Sequence, residues 1–321
     1  MKAIVCEKYG SPDVLELREV AKPVPKDDEV LVRIQAVSIN DWDWGLLQGS
    51  TPIDRLLFGL FRPRNTILGS DIAGLVEATG KNVRQFRQGD AVFGDLSGRW
   101  GGFAEYVCAP DTALALKPSG MSFAEAASIP QAAALAMQGL CDIGRIKQGD
   151  KVLINGAGGG VGTFAIQIAK QYGVEVTGVD KPAKLDFMRA LGFDKVIDYT
   201  QQDFTRAGIR YDLVLDVKTN RSPFDYVRAL NPGGRYVTVG GSMTRIFHLL
   251  LTGPFIRLTH KKTMRLVILE PNKDLAYLNG LFEAGKLTPV LDKLYTLGGV
   301  REAMRHFGAG DHKGKVVISL E

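Results

Sequence analysis

Two textures of apolar and polar positions divide the chain. Up to about Ser119, short runs of alternating or β-branched residues stand between Gly, Pro and Asp turns. Val30 to Ala36, Gly69 to Gly80, Asp90 to Phe93 and Phe103 to Val107 read as strands of a compact β-rich domain. Ser122, with Glu125 three positions on, forms a capping box for a helix through Ala127, and Gln131 to Gly139 continues as an alanine-rich helix. After Lys151 the pattern changes to apolar strands alternating with helical stretches. Strands are expected at 151–155, 174–179, 195–199, 211–217, 234–240 and 265–269. Such alternation predicts an α/β fold, a doubly wound parallel sheet in strand order 3-2-1-4-5-6 with crossover helices and a ligand at the carboxyl ends of the strands. The tail adds a helix over Asp274 to Ala284 and a final strand over Lys315 to Leu320. The expected division is 1–125, 126–265 and 266–321.

The sharpest local signal lies where the second texture begins. Lys151 to Ile154 form an apolar strand, and the next residues, NGAGGGVGTFAIQIAK, pass through a glycine turn directly into an amphipathic helix. Gly156, Gly159 and Gly162 stand at three-residue spacing, with Gly158, Gly160 and Val161 between them. The first glycine permits the reversal, the second lets a pyrophosphate approach the backbone, and the third lets helix and strand lie close. Phosphate oxygens then meet the N–H groups and positive dipole end of the helix. The next strand ends in Asp180, an acidic residue where a dinucleotide's ribose is expected. A Walker-type phosphate loop is excluded, because no Lys-Ser or Lys-Thr follows the last glycine.

Composition narrows the class without naming it. The 321 residues suit two domains, and 45% hydrophobic with 23% charged residues is an ordinary globular balance. A net charge of +5 is too small to imply nucleic acid as a partner. Cys6, Cys108 and Cys141 are widely separated and form no CxxC pair, so neither a disulfide framework nor a cysteine-rich metal site is indicated. The opening MKAIVCEKYG reads as a strand and turn rather than a signal peptide, which makes a cytoplasmic location the expectation.

MKAIVCEKYGSPDVLEL at the start, QGDAVFG at 88–94, the glycine turn, NPGGRYVTVGG at 231–241 and HKGKVVI near the end occur in an order and spacing that resemble one family along the whole chain. The chain resembles the zinc-free quinone oxidoreductases of the medium-chain dehydrogenase/reductase family, to which ζ-crystallin and mitochondrial reticulon-interacting oxidoreductases also belong. The resemblance implies a GroES-like catalytic domain clasping an inserted Rossmann domain, and a homodimer. It places Val239 and Gly240 at the cofactor. Zinc-dependent members hold their metal with Cys, His and a further Cys or Asp; here Asn40 matches the first Cys and Ser70 the His, and no histidine precedes His248. No metal is therefore expected. Asp41, Asp43, Asp71 and Asp90 are read as turn residues rather than an oxygen site.

Without a Lewis acid, the chemistry that suits the site is hydride addition to a quinone or to the β-carbon of an enone, where hydrogen bonds can stabilise charge on a conjugated oxygen. The resemblance puts Asn40 and Asp43 beside substrate and nicotinamide, with Trp44 as the wall of an aromatic slot. The plainer reading is that Asn40 and Asp43 cap the turn before a helix over Trp44 to Gln48, and that the tryptophans are core. Two positions depart from the family pattern. Gly45 replaces a larger residue, and Leu135 replaces a threonine near the nicotinamide ribose. For the cofactor, Asp180 favours NADH by accepting from both ribose hydroxyls. Lys184 and Tyr199 match residues that bind the 2'-phosphate in NADPH-using relatives, and two positions against one favour NADPH. Reduction of alkenals or enoyl thioesters is the alternative activity. A redox-responsive RNA or protein binder with little turnover is the alternative class.

Two segments are both apolar and basic: Ile53 to Arg64, and Arg245 to Arg265, which has no acidic residue. Neither is long enough to span a bilayer, which takes about 18 apolar residues. They read either as ordinary core or dimer packing, or as the approach of a lipophilic quinone or enone, with contact at the surface of a membrane.

Overall fold

A computed structural model describes residues 1–50, 55–56, 58–241 and 243–320. The chain divides into two compact units. Unit 1 comprises Met1–Gln131, Pro271–Gly285 and Pro289–Glu321, and unit 2 comprises Ala132–Glu270 with Lys286–Thr288. The first boundary falls beyond the capped helix Phe123–Ser128 because that helix packs on the sheet of unit 1. Its capping box is present: the Ser122 hydroxyl accepts from the Glu125 N–H, and the Glu125 carboxylate accepts from the Ser122 N–H at 2.8 Å.

Unit 1 opens with a hairpin of β1 (Lys2–Cys6) and β2 (Leu15–Glu19). Its main sheet contains β3 (Glu29–Ser38), β4 (Asp71–Thr79), β5 (Ala91–Asp95), β6 (Tyr106–Pro110) and β7 (Ala115–Leu116). The tail returns to this sheet. A strand over Leu291–Thr296 and a last one over Lys315–Ser319 line up beside β3, the last one antiparallel to it. This placement brings Lys315 to the end of β3, next to Asn40, although 275 positions separate them in sequence. Cross-strand register then sets Ser38 opposite Asp71, and Asp71 opposite Asp95. The core behind them is aliphatic and aromatic, including Val32, Ile34, Val37, Ile72, Val92, Phe103 and Ile318.

Unit 2 holds six parallel strands: β8 (Lys151–Asn155), β9 (Glu175–Asp180), β10 (Lys195–Asp198), β11 (Tyr211–Asp216), β12 (Leu230–Thr238) and β13 (Thr263–Leu266). Their order is β10-β9-β8-β11-β12-β13, the 3-2-1-4-5-6 arrangement expected from the alternation of strands and helices. Strands buried on both faces must be apolar throughout, and Val152 to Ile154 and Leu213 to Leu215 have no exposed surface. Two features are absent from the sequence reading. A single wide turn of π-helix over Gln138–Ile143 continues the alanine-rich helix, and the apolar basic segment after β12 forms an eighteen-residue helix, Met243–His260.

Candidate active site

The glycine turn of unit 2 joins β8 to the helix Gly160–Lys170. Gly156 has φ +83°, in the left-handed region where a side chain is strained. Gly159 is the N-cap, with extended φ −93° and ψ −175° that any residue can adopt. A Cβ on Gly162 would lie 2.3 Å from the carbonyl oxygen of Ala157, so the third glycine is what lets the helix seat against the turn. Helix geometry leaves the N–H groups of Gly160, Val161 and Gly162 without intrahelical acceptors. Backbone donors, a positive dipole end and a turn of glycines broken only by Ala157 fit the pyrophosphate of a dinucleotide.

Asp180, Lys184 and Tyr199 come together at the end of β9, because β10 pairs in register with it and the Tyr199 N–H donates to the Asp180 carbonyl. Asp180 makes bonds that the sequence does not announce. One carboxylate oxygen accepts from the Gly158 N–H at 2.9 Å and the other from the Lys181 N–H at 2.9 Å, while the Lys184 ammonium lies 3.9 Å away. Both side chains are buried against the turn, and a Cβ on Gly158 would meet the Lys184 stem at 2.7 Å. The carboxylate therefore braces the glycine turn.

A network missed by the sequence reading stabilises the same edge of the sheet. Asp216, wholly buried at the end of β11, accepts from Asn155 Nδ2 at 2.8 Å, from the N–H groups of Lys218 and Thr219, and from the Tyr236 hydroxyl at 2.8 Å. Val239 donates its N–H to the Asp216 carbonyl, and the Gly240 carbonyl accepts from the Thr238 hydroxyl. The signal was present as Asn155 and Asp216, polar residues closing apolar strands.

In unit 1 the candidate residues form a buried polar cluster. Lys315 Nζ donates to Asn40 Oδ1 at 2.6 Å and lies 3.8 Å from an Asp71 oxygen. Because an ammonium only donates, the atom of Asn40 that faces it is the carbonyl oxygen. The amide nitrogen is turned to Ser70 Oγ, at 3.4 Å, and to the Asp71 carboxyl, which its hydrogen bond pulls down. Asp71 and Asp95 are buried, and each keeps one carboxylate oxygen without a hydrogen bond. Burial raises the pKa of both, and for Asp71 the Asp95 charge adds to the rise. Burial lowers that of Lys315, against the pull of the carboxylates. Turn placement thus fits Asp90, which is partly exposed, but not Asp43 or Asp71.

Asp43 and Trp44 follow the plainer of the two readings, a helix cap and a core residue, rather than the substrate-facing one. Asp43 has no exposed surface, and its two oxygens accept from the N–H groups of Asn40 and Gly69, both at 2.9 Å. It fastens the start of the Asp41–Gln48 helix to the Gly69 turn and so positions Asn40, rather than presenting itself to a substrate. Burial pushes its carboxyl up to about 7, against those two donors. Trp44 packs on Gly308, where a Cβ would collide with its ring, and belongs to the core. The aromatic run of unit 1 is instead Trp42, Phe58 and Trp100, in edge-to-face contacts of 5.7 and 5.8 Å, with Trp42 47% exposed. A Cβ at Gly45 would meet nothing within 4 Å, so this departure leaves open space. Ile53, Asp54 and Leu57 of the first apolar basic segment lie outside the described residues; Leu56, Leu60 and Phe61 are exposed. Among the described residues no three His, Cys, Asp or Glu side chains are grouped to hold a metal ion.

Comparison with known proteins agrees with this geometry. Residues 26–119 match the alcohol dehydrogenase GroES-like domain, and residues 191–318 match the zinc-binding dehydrogenase family. The chloroplastic quinone-oxidoreductase homolog of Spinacia oleracea is 32% identical, over 99% of this chain and 98% of its own length. The chloroplastic NADPH-dependent alkenal/one oxidoreductase of Arabidopsis thaliana is 31% identical, over 99% of this chain and 79% of its own. The structure of the quinone oxidoreductase from Coxiella burnetii superposes with a TM-score of 0.87 at 29% identity, covering 100% of this chain and 99% of that one. With the doubly wound sheet, the glycine turn and the returning tail all in place, the chain belongs to the quinone oxidoreductase branch of the medium-chain dehydrogenase/reductase family of oxidoreductases.

Proposed function

We propose that this chain is a zinc-independent, NADPH-dependent reductase of quinones and activated enones. The observation that carries the reading is the pairing of a dinucleotide cradle in unit 2 with Asn40 and Ser70 at the positions where zinc-dependent relatives hold Cys and His. An amide and a hydroxyl are poor zinc ligands beside a thiolate and an imidazole. When bound, NADPH supplies the hydride. The turn at Gly156, Gly159 and Gly162 holds the pyrophosphate, and Val239 and Gly240 lie along the same strand ends. Lys184 and Tyr199 beside the ribose position support NADPH over NADH, as does the cofactor named for the Arabidopsis relative. Asp180, already engaged by two backbone N–H groups, opposes a 2'-phosphate less than an open carboxylate would.

Asn40 is the residue we assign to the acceptor. With its oxygen held by Lys315, its Nδ2, which reaches Ser70 Oγ at 3.4 Å, is the donor we assign to the carbonyl oxygen of a quinone or enone, in exchange for that long bond. Hydride adds to the β-carbon, the electron pair moves to that oxygen, and a proton from water completes the reduced product. The acceptor is lipophilic. The test uses an alkenal with NADPH deuterated at the transferable position. The label should appear on the β-carbon of the product; a reduced product without label would overturn direct hydride transfer.

A further inference from the structure

The Met243–His260 helix is apolar on two opposite faces. Ile246, Leu249, Gly253 and Ile256 recur at helical spacing and are buried, with Leu249 and Ile256 joining the core of unit 2. On the other side Phe247, Leu250, Leu251, Phe255 and Leu258 also share one face. Leu251 is 78% exposed, Phe255 57% and Leu258 82%, and Ile268 just past β13 is 83% exposed. A second apolar face left in water is not needed to hold the helix on its sheet, and marks a contact surface.

Charge identifies what covers it. No Asp or Glu occurs between Asp225 and Glu270, a stretch that carries seven Arg and Lys. At the C-terminal end of the helix lies a cleft of about 590 Å³, lined by Arg206, Arg210, Arg228, His260, Lys262 and Phe224 among others. The nearby carboxylates, Asp203 and Asp225, engage Arg206 and Arg228. Lys262 donates to the Val227 carbonyl, and burial, with the like charge of Arg210 adding to it, lowers its pKa. Arg257, Lys261 and Arg265 belong to this same stretch, in which no acidic residue balances them. An anionic surface would neutralise them.

We propose that unit 2 carries a docking face for an anionic phospholipid membrane, the exposed stripe Phe247 to Leu258 entering the interfacial layer and the cleft at Arg210 and Lys262 taking a phosphate headgroup. The proposal names the surface at which the reductase proposed above meets a lipophilic acceptor, and it rests on that reading. No helix among the described residues is long and apolar enough to cross a membrane, which agrees with a peripheral attachment.

Co-sedimentation of the full chain with phosphatidylcholine vesicles, and with the same vesicles containing phosphatidylglycerol, tests this. Binding should be roughly tenfold or more tighter to the anionic vesicles and should collapse at high salt. The double variant Leu251→Glu with Phe255→Glu should lose vesicle binding. Arg210→Glu should weaken it by about tenfold, while glycerol phosphate alone should compete only weakly. NADPH oxidation with a water-soluble quinone should be unchanged in every variant, which separates failure of docking from failure of the reductase reading. Equal binding to neutral vesicles, or unchanged binding by the double variant, would overturn the proposal. So would a double variant that converts a dimer to a monomer in sedimentation velocity while still binding vesicles, because the stripe would then be an interface between copies.

Discussion

Lys315 faces three buried carboxylates, Asp43, Asp71 and Asp95, and one ammonium cannot neutralise all of them in a site closed to water. The cluster therefore retains protons near neutrality. All three carboxyls are raised above their ordinary value, so the stability tied to their protonated forms is fully present below about pH 4 and is lost as pH rises toward and past neutrality. Asp95→Asn tests this at one residue. Its amide can donate across the strand pair to the unpartnered Asp71 oxygen and removes the like charge opposite it. The variant should match the parent protein near pH 4.5 and exceed it in urea unfolding at pH 8 by about 1–2 kcal/mol. Equal stability at both pH values, or a loss at pH 8, would show that the pair does not repel.

At the scale of elements, the glycine turn separates binding from folding. Gly159→Val keeps an allowed extended backbone at the N-cap but fills the approach of the pyrophosphate. NADPH binding, followed by cofactor fluorescence, should fall at least about a hundredfold with little change in melting temperature. Gly162→Ala should instead destabilise the protein, by about 1–3 kcal/mol, because its Cβ meets the Ala157 backbone. Asp180→Ser keeps an acceptor for the Gly158 N–H and removes the charge beside Lys184. The ratio of kcat/KM for NADPH to that for NADH should rise by about tenfold, and a fall would show that Asp180 does not face the ribose. These elements could be read in advance because strand, turn and helix are contiguous in sequence and their signals are local. The polar cluster of unit 1 could not. Asp71, Asp95 and Lys315 meet only through strand register and the return of the tail, and a charged residue at a strand end looks the same whether it faces water or the core. The helix Met243–His260 was obscured for a different reason: with apolar residues on both faces it lacks the one-sided pattern by which helices are recognised.

Across the whole molecule, the division of labour follows from where chemistry can be held. Unit 2 supplies backbone donors at the carboxyl ends of parallel strands. Unit 1, in the function proposed here, supplies the Asn40 amide, whose oxygen the buried Lys315 holds. Reduction of a conjugated acceptor is the reaction least dependent on a Lewis acid, since charge develops on an oxygen that hydrogen bonds can reach. The most direct test is steady-state NADPH oxidation with a quinone, measured on protein dialysed exhaustively against a chelator and checked by elemental analysis. The account predicts turnover undiminished in protein that holds no stoichiometric zinc. Loss of turnover on chelation, restored by adding zinc, would contradict it.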